Sequence, residues 1–340
     1  MIISRLVAGR SPAVRLLMLA IGLIVAFGLP WWIYPPVALD IAAWALFAVA
    51  LDLLLGFTGL LSFGHAAFWG SSAYATGIIA VETGLPFYVA VLGGAVLAAV
   101  IAVPIALLSV RRTGIYFAMV TLAFAQLVYF VANQWRSLTG GENGLQGIPR
   151  EAFGMDLSDS FYFYYAAIPL VLLGLFGAWR VVHSPFGRVM VAIRENPARA
   201  RALGYPVDRY KVAVFVLSAF LAGIAGGVYA IGHGFASLQE VYWTTSGKVV
   251  VMNILGGMGT LWGPVVGAGI IVVLEDYLAT AGIDAVGVVT GVIFVVTVLV
   301  FRRGIWGTAR RLLRRRAKSG PDSDHPGREA ADERSAAAAR

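Results

Sequence analysis

Ten apolar segments divide the chain between Val14 and Phe301, and they constrain its fold more than any other feature. They run over 14–33, 37–56, 58–80, 87–109, 113–133, 161–183, 211–232, 247–258, 263–281 and 284–301. A helix needs about 20 apolar residues to cross the hydrocarbon of a bilayer. The eighth segment is too short for that and reads as a broken or partly re-entrant helix. Such breaks are tolerated only where protein or a water-filled cavity shields the freed peptide groups. Composition agrees: 59% of the 340 residues are hydrophobic and 13% charged, about half the charged fraction of a soluble domain. The expected fold is an all-α integral membrane protein with about ten transmembrane segments.

The positions of Lys and Arg set the topology. Arg5, Arg10 and Arg15 precede the first segment, and Arg111 and Arg112 follow the fourth. Arg188, Arg194, Arg199, Arg201, Arg209 and Lys211 lie between the sixth and seventh, and Arg302, Arg303 and a cluster over 310–316 follow the tenth. Ten crossings put all four groups on one side, which the positive-inside rule makes cytoplasmic; nine would strand the last group outside. The net charge of +8 therefore orients the chain against an anionic leaflet and does not argue for nucleic-acid binding. Trp31, Trp32, Tyr34, Trp135, the 162–165 aromatics, Tyr242 and Trp243 bunch at the opposite ends, as in an interfacial belt. The N-terminus has the charge of a secretion signal but no small-x-small site after the apolar run, so a retained first helix is expected. The transmembrane domain reads as 1–301, followed by a basic juxtamembrane stretch over 302–318 and a disordered cytoplasmic tail over 319–340.

Chemistry-bearing residues are sparse. There is no cysteine and no phosphate-binding glycine loop, and no His or carboxylate grouping has metal-ligand spacing. No cofactor is expected on this chain. His65 lies inside an apolar segment and reads either as a hydrogen-bonded packing residue or as a substrate contact. Ser62, Thr121 and Gln126 could line a polar translocation path beside it. Asp40, Asp52, Glu82, Glu275 and Asp276 fall near segment ends, where snorkelling or local pairing is the default. Glu142 and Asn143 sit in the long outer loop, either as a solvated turn or as a contact for a binding protein. Two glycine clusters, 56–70 and 256–269, occupy early positions in the two halves of the chain and point to a two-fold internal repeat of the kind transporters use.

The basic loop over 184–210 carries a helix signature. Asn196 suits an N-cap and Pro197 the first helical position, while Gly204 suits a left-handed C′ site and Pro206 blocks continuation. That makes a two-turn helix, about 10 Å long. It is a rigid element able to link a water-phase partner to the membrane spans.

Four stretches in order, GLLSFGHAAFWGSSAY (59–74), RRTGIYFAMVTLAFAQ (111–126), TGGENGLQGIP (139–149) and the 184–226 region, resemble the permease subunits of bacterial ABC importers for branched-chain amino acids, LivM type. The resemblance covers about residues 30–303. It implies a bacterial inner-membrane subunit that pairs with a sister permease, is driven by two cytosolic ATPases, and receives substrate from a periplasmic binding protein. ATP would act on those partners. It also implies that 184–204 is the coupling segment, with Glu195, Asn196, Ala198, Ala202 and Gly204 at matching positions. Pro197, Arg199 and Arg201 depart from the family pattern; Arg199 is counted with the coupling residues. Related permeases carry urea, short amides or other small polar solutes. A stand-alone secondary transporter would want paired intramembrane acids, and Asp52 is the nearest candidate.

Overall fold

The computed structural model describes residues 22, 24–152, 155–281, 288, 291 and 292. After a helical stretch over 24–32 come α1 (Pro35–Thr58), α2 (His65–Thr83), α3 (Phe87–Ser109), α4 (Ile115–Gln134) and α5 (Ser160–Val182). Then follow α6 (Pro185–Glu195), α7 (Pro197–Ala202), α8 (Val207–His233), α9 (Trp243–Gly256) and α10 (Trp262–Thr280). Among the described residues six helices are long and apolar enough to cross a membrane: α1, α3, α4, α5, α8 and α10.

This departs from ten segments in particular places. The third expected segment is α2, which starts only at His65 after an irregular stretch and falls outside those six. The eighth is α9, whose 14 residues span about 21 Å and fall short of the hydrocarbon layer. Nine of the twenty residues of the first expected segment, all but three residues of the tenth (288, 291 and 292), and the tail lie outside the described residues.

The bundle is built around α1, whose apolar stretch is 89% buried against 28% for α4. Helices α5, α8 and α10 pack on α1, and α2, α3 and α8 pack on one another. The surface of α3 shows what solvent this packing expects. Val89, Leu92, Val96, Val100, Val103 and Leu107, at steps of three and four, form an exposed apolar stripe. Its opposite face is small: Ala90, Gly94, Ala95, Ala98, Ala102 and Ala106 are buried. Water would leave the outer stripe without a driving force, whereas lipid matches it, and small residues inside let helices approach closely. Thus α8 brings Gly226 so near the Trp69 carbonyl of α2 that an added Cβ would sit 2.2 Å from that oxygen.

The end of the bundle where α8 finishes is tied down by the segment between α4 and α5. Leu145–Gln146 pairs antiparallel with Phe235–Ala236, just beyond α8. Arg150 donates to the carbonyls of Ile231 (3.2 Å) and Gly232 at the end of α8 and to Ser158 (3.0 Å), so one guanidinium holds the loop to the last turn. The aromatic belt is partly real: Trp31, Trp32, Tyr34, Trp135, Tyr162 and Trp243 are exposed. Tyr164 is instead buried and donates to the Ala26 carbonyl at 2.5 Å, and so belongs to the core. In the single turn Leu238–Val241, buried Glu240 accepts from the Ser237 amide; burial pushes its carboxyl above the ordinary range, and that hydrogen bond opposes the shift.

Gly226→Val is expected to lower the thermal unfolding midpoint in detergent by several degrees, since overpacking costs about 1–3 kcal/mol or more. Val100→Leu on the outer stripe is expected to leave the midpoint unchanged.

Candidate functional site

The basic loop holds two short helices, the expected one (α7) and α6 before it. Ser184 is extended and its hydroxyl accepts from the Gly187 amide, and Pro185 opens α6. Asn196 ends α6 and, at φ −158° and ψ 99°, turns the chain; its Oδ1 then accepts from the Arg199 amide at 2.9 Å and caps α7. Gly204 takes φ +85°, while the Tyr205 amide reaches back to the Ala200 carbonyl at 3.1 Å. The caps of α7 were legible in the sequence. Helix α6 was missed, although Ser184-Pro185 repeats the signal of Asn196-Pro197 and Val189 and Ile193 repeat at helical spacing.

The hairpin is seated by its own apolar knot. Val189, Ile193, Ala200 and Val207 are buried together, with Tyr210 alongside. Phe186 stacks on Tyr210 at 5.1 Å, which ties α6 to the first turn of α8. Ala200 is the alanine that anchors α7. Glu195, Ala198, Arg199 and Ala202 are exposed, and Leu203 is 71% exposed at the tip. Arg188, Arg199, Arg201 and Arg209 are exposed too, with Arg201 paired to Asp208 at 2.9 Å. The hairpin thus exposes an apolar Leu203 beside the arginines of α7.

Its inner face reaches the glycine clusters through Arg194, in the last turn of α6. The guanidinium donates to the Gly56 carbonyl, one of the last four carbonyls of α1 that have no intrahelical partner. A cation there also meets the negative end of the helix dipole. Side-chain atoms of Arg194 lie close enough to Gly59 and Gly259 that a Cβ on either would come within 3.0–3.1 Å. Gly259 belongs to the break between α9 and α10, and its amide donates to Asp52 Oδ1 at 2.8 Å. A Cβ on Gly56 would overlap that amide at 2.3 Å, so only glycine allows α1 and the second break to touch. Asp52 is fully buried and lies within electrostatic reach of Arg194. It therefore does not snorkel. The two glycine-rich breaks meet, and Arg194 sits on both.

The first break is held from its other side by a buried hydroxyl network. Ser218 Oγ donates to the Ala50 carbonyl, so toward His65 Nε2, 2.7 Å away, it accepts. With that proton assigned to Nε2, Nδ1 accepts from Ser62 Oγ at 3.0 Å. Ser62 also accepts from the Gly64 amide, and Thr121 Oγ1 accepts from the Phe63 amide at 3.3 Å. Ser62, His65 and Thr121 thus come together, all fully buried. Gln126 stands apart, half-buried and five residues beyond Thr121, about 140° round α4. Glu142 and Asn143 are exposed in the turn Gly141–Asn143, between α4 and α5. Among the remaining acids, Glu82 and Asp276 are exposed, while Asp40 and Glu275 are paired.

The geometry can be set beside known proteins. Residues 35–298 match the family described as branched-chain amino acid transport system, permease component. The chain is 30% identical over 254 residues to the high-affinity branched-chain amino acid transport system permease protein LivM of Escherichia coli, covering 68% of this chain and 60% of that protein. It is 31% identical over 258 residues to LivM of Salmonella typhimurium, with the same coverage of each. The autoinducer 2 import system permease protein LsrC of Klebsiella pneumoniae is 32% identical over 137 residues, 38% of this chain and 39% of that protein. The chain spans about 60% of the length of the two LivM relatives. No solved structure matches it.

Removing the α7 cap by Asn196→Ala is expected to cost about 0.5–2 kcal/mol locally. Hydrogen exchange of the Arg199 amide is expected to quicken about two- to thirtyfold, with the spans unaffected.

Proposed function

The chain belongs to the permease components of branched-chain amino acid transport systems, and from that premise we propose that it forms part of the translocation path of a bacterial ABC importer for branched-chain or related amino acids. Its partners are a sister permease, two cytosolic ATPases and a periplasmic binding protein that sets most of the specificity. It lies in the inner membrane with both termini and the α6–α7 hairpin in the cytoplasm, the arrangement that keeps the four basic groups on one side. The family assignment supports this reading, and so does the contact between the two breaks, each a helix, a glycine-rich interruption and a second helix, as an internal repeat would give.

The observation that carries the coupling role is Arg194. ATP is hydrolysed in water and the gate lies in the bilayer, so the two communicate only through a rigid element attached to both. The exposed tip of Ala198, Ala202 and Leu203 fits an apolar groove, and Glu195 with the exposed arginines fits a charged border on the ATPase. The hairpin is stiffened by Asn196 and Gly204 and bolted to α8 by its apolar knot. A push on the tip therefore moves α6 as a unit. Arg194 passes that displacement to the end of α1 and to the break before α10 together.

A charge-assisted hydrogen bond is worth about 1.5–3 kcal/mol, so its removal is felt about tenfold or more. In proteoliposomes holding the whole importer, Arg194→Met is expected to leave ATP hydrolysis in place and lower uptake about tenfold. Gly204→Pro, which forbids φ +85°, is expected to lower uptake and ATP hydrolysis together. Wild-type uptake in both variants contradicts the reading, as does uptake by this chain without its ATPases.

A further inference from the structure

At the end of the bundle away from the hairpin, two polar side-chain pairs lie about a quarter exposed inside helices. Asp40 of α1 meets His233 of α8 at 2.7 Å, with side chains 22% and 26% exposed. Lys248 of α9 meets Glu275 of α10, each 27% exposed. Charges at this depth are costly against lipid and belong where they face a water-filled cavity or the interior of an assembly. An aromatic floor joins the pairs. Lys248 Nζ stands 4.1 Å from the Trp44 ring centre, Trp44 stacks on Trp69 at 5.0 Å, Trp69 meets Tyr229 at 5.2 Å, and Tyr229 meets His233 at 4.3 Å. Trp69 is fully buried, yet its indole N–H has no hydrogen-bond partner among the described residues. A buried donor left unmade costs about 1–3 kcal/mol. Nothing in the coupling mechanism uses this group.

We propose that Trp44, Trp69, Tyr229, Lys248 and Glu275 form a transient binding site for a zwitterionic α-amino acid with an apolar side chain. The proposal rests on the reading that the importer carries amino acids. The carboxylate of such a ligand takes the place of Glu275 at Lys248 and accepts from the Trp69 N–H. Its ammonium pairs with the released Glu275, and its side chain lies on the aromatic floor. Every charge stays paired through the exchange, so opening the Lys248–Glu275 pair leaves no buried charge uncompensated. Urea or a neutral amide supplies neither charge and cannot open the pair; an acid lacking the amine leaves Glu275 alone. The site therefore selects zwitterions at the permease, in addition to selection by the binding protein.

The test is leucine uptake per ATP hydrolysed by the whole importer in proteoliposomes, with loaded binding protein at saturation. Trp69→Phe keeps the ring and removes the N–H, and Lys248→Gln removes the carboxylate partner. Each is expected to lower uptake per ATP about tenfold while the complex assembles and hydrolyses ATP. The swap Lys248→Glu with Glu275→Lys rebuilds the pair in reverse beside Trp69; it is expected not to restore uptake. Restoration by the swap shows a merely structural pair and overturns the proposal. Unchanged uptake in Trp69→Phe overturns it as well, and that variant decides the matter if the swapped protein fails to assemble. A wild-type importer that hydrolyses ATP but moves no amino acid overturns the underlying reading and the proposal with it.

Discussion

A peptide group released from a helix inside a bilayer has no water to turn to, and that constraint organises this molecule. The chain breaks its helices twice within apolar sequence, between α1 and α2 and between α9 and α10. The freed groups are satisfied by protein in a small region. Asp52 takes the Gly259 amide, Arg194 takes the Gly56 carbonyl, and Thr121 takes the Phe63 amide. Ser62, His65 and Ser218 complete the enclosure with hydroxyl and imidazole partners. The glycines are needed because the two breaks touch: a side chain at Gly56 would occupy the space of the Gly259 backbone.

The same arrangement makes the breaks sensitive to α6. Most of the enclosure comes from within the membrane helices, but Arg194 comes from a helix outside them. The α6–α7 hairpin therefore supplies one of the hydrogen bonds on which the break depends. Moving the hairpin while the breaks stay still would leave the Gly56 carbonyl without its partner, so the two are energetically linked. Coupling on this account needs no long pathway. It needs one stiff lever and one shared contact.

What could be read from the sequence was local. The apolar lengths announced a helical membrane protein, and Asn196, Pro197 and Gly204 announced α7, because caps act within four residues. Helix α6 escaped notice because its charged face masked the apolar spacing of Val189 and Ile193. Asp52 reads as a residue near a segment end, since its partner lies 207 positions away and nothing local marks it. Arg194 is one exposed arginine among several, and no sequence pattern separates the one that reaches the Gly56 carbonyl from the others. The Lys248–Glu275 and Asp40–His233 pairs were likewise hidden by separations of 27 and 193 residues.

The central claim is that the hairpin and the second glycine break move as one body. The chain contains no cysteine, so labels can be placed singly, and Leu203 and Met258 are both exposed. Spin-label distances between Leu203→Cys and Met258→Cys in the whole importer, nucleotide-free and ATP-bound, measure the claim directly. The account predicts an unchanged 203–258 distance while the distance from Met258→Cys to Trp135→Cys at the end of the bundle away from the hairpin shifts. A 203–258 distance that changes with nucleotide while the 258–135 distance stays fixed would contradict it, because the lever would then be sliding past the break it is said to drive.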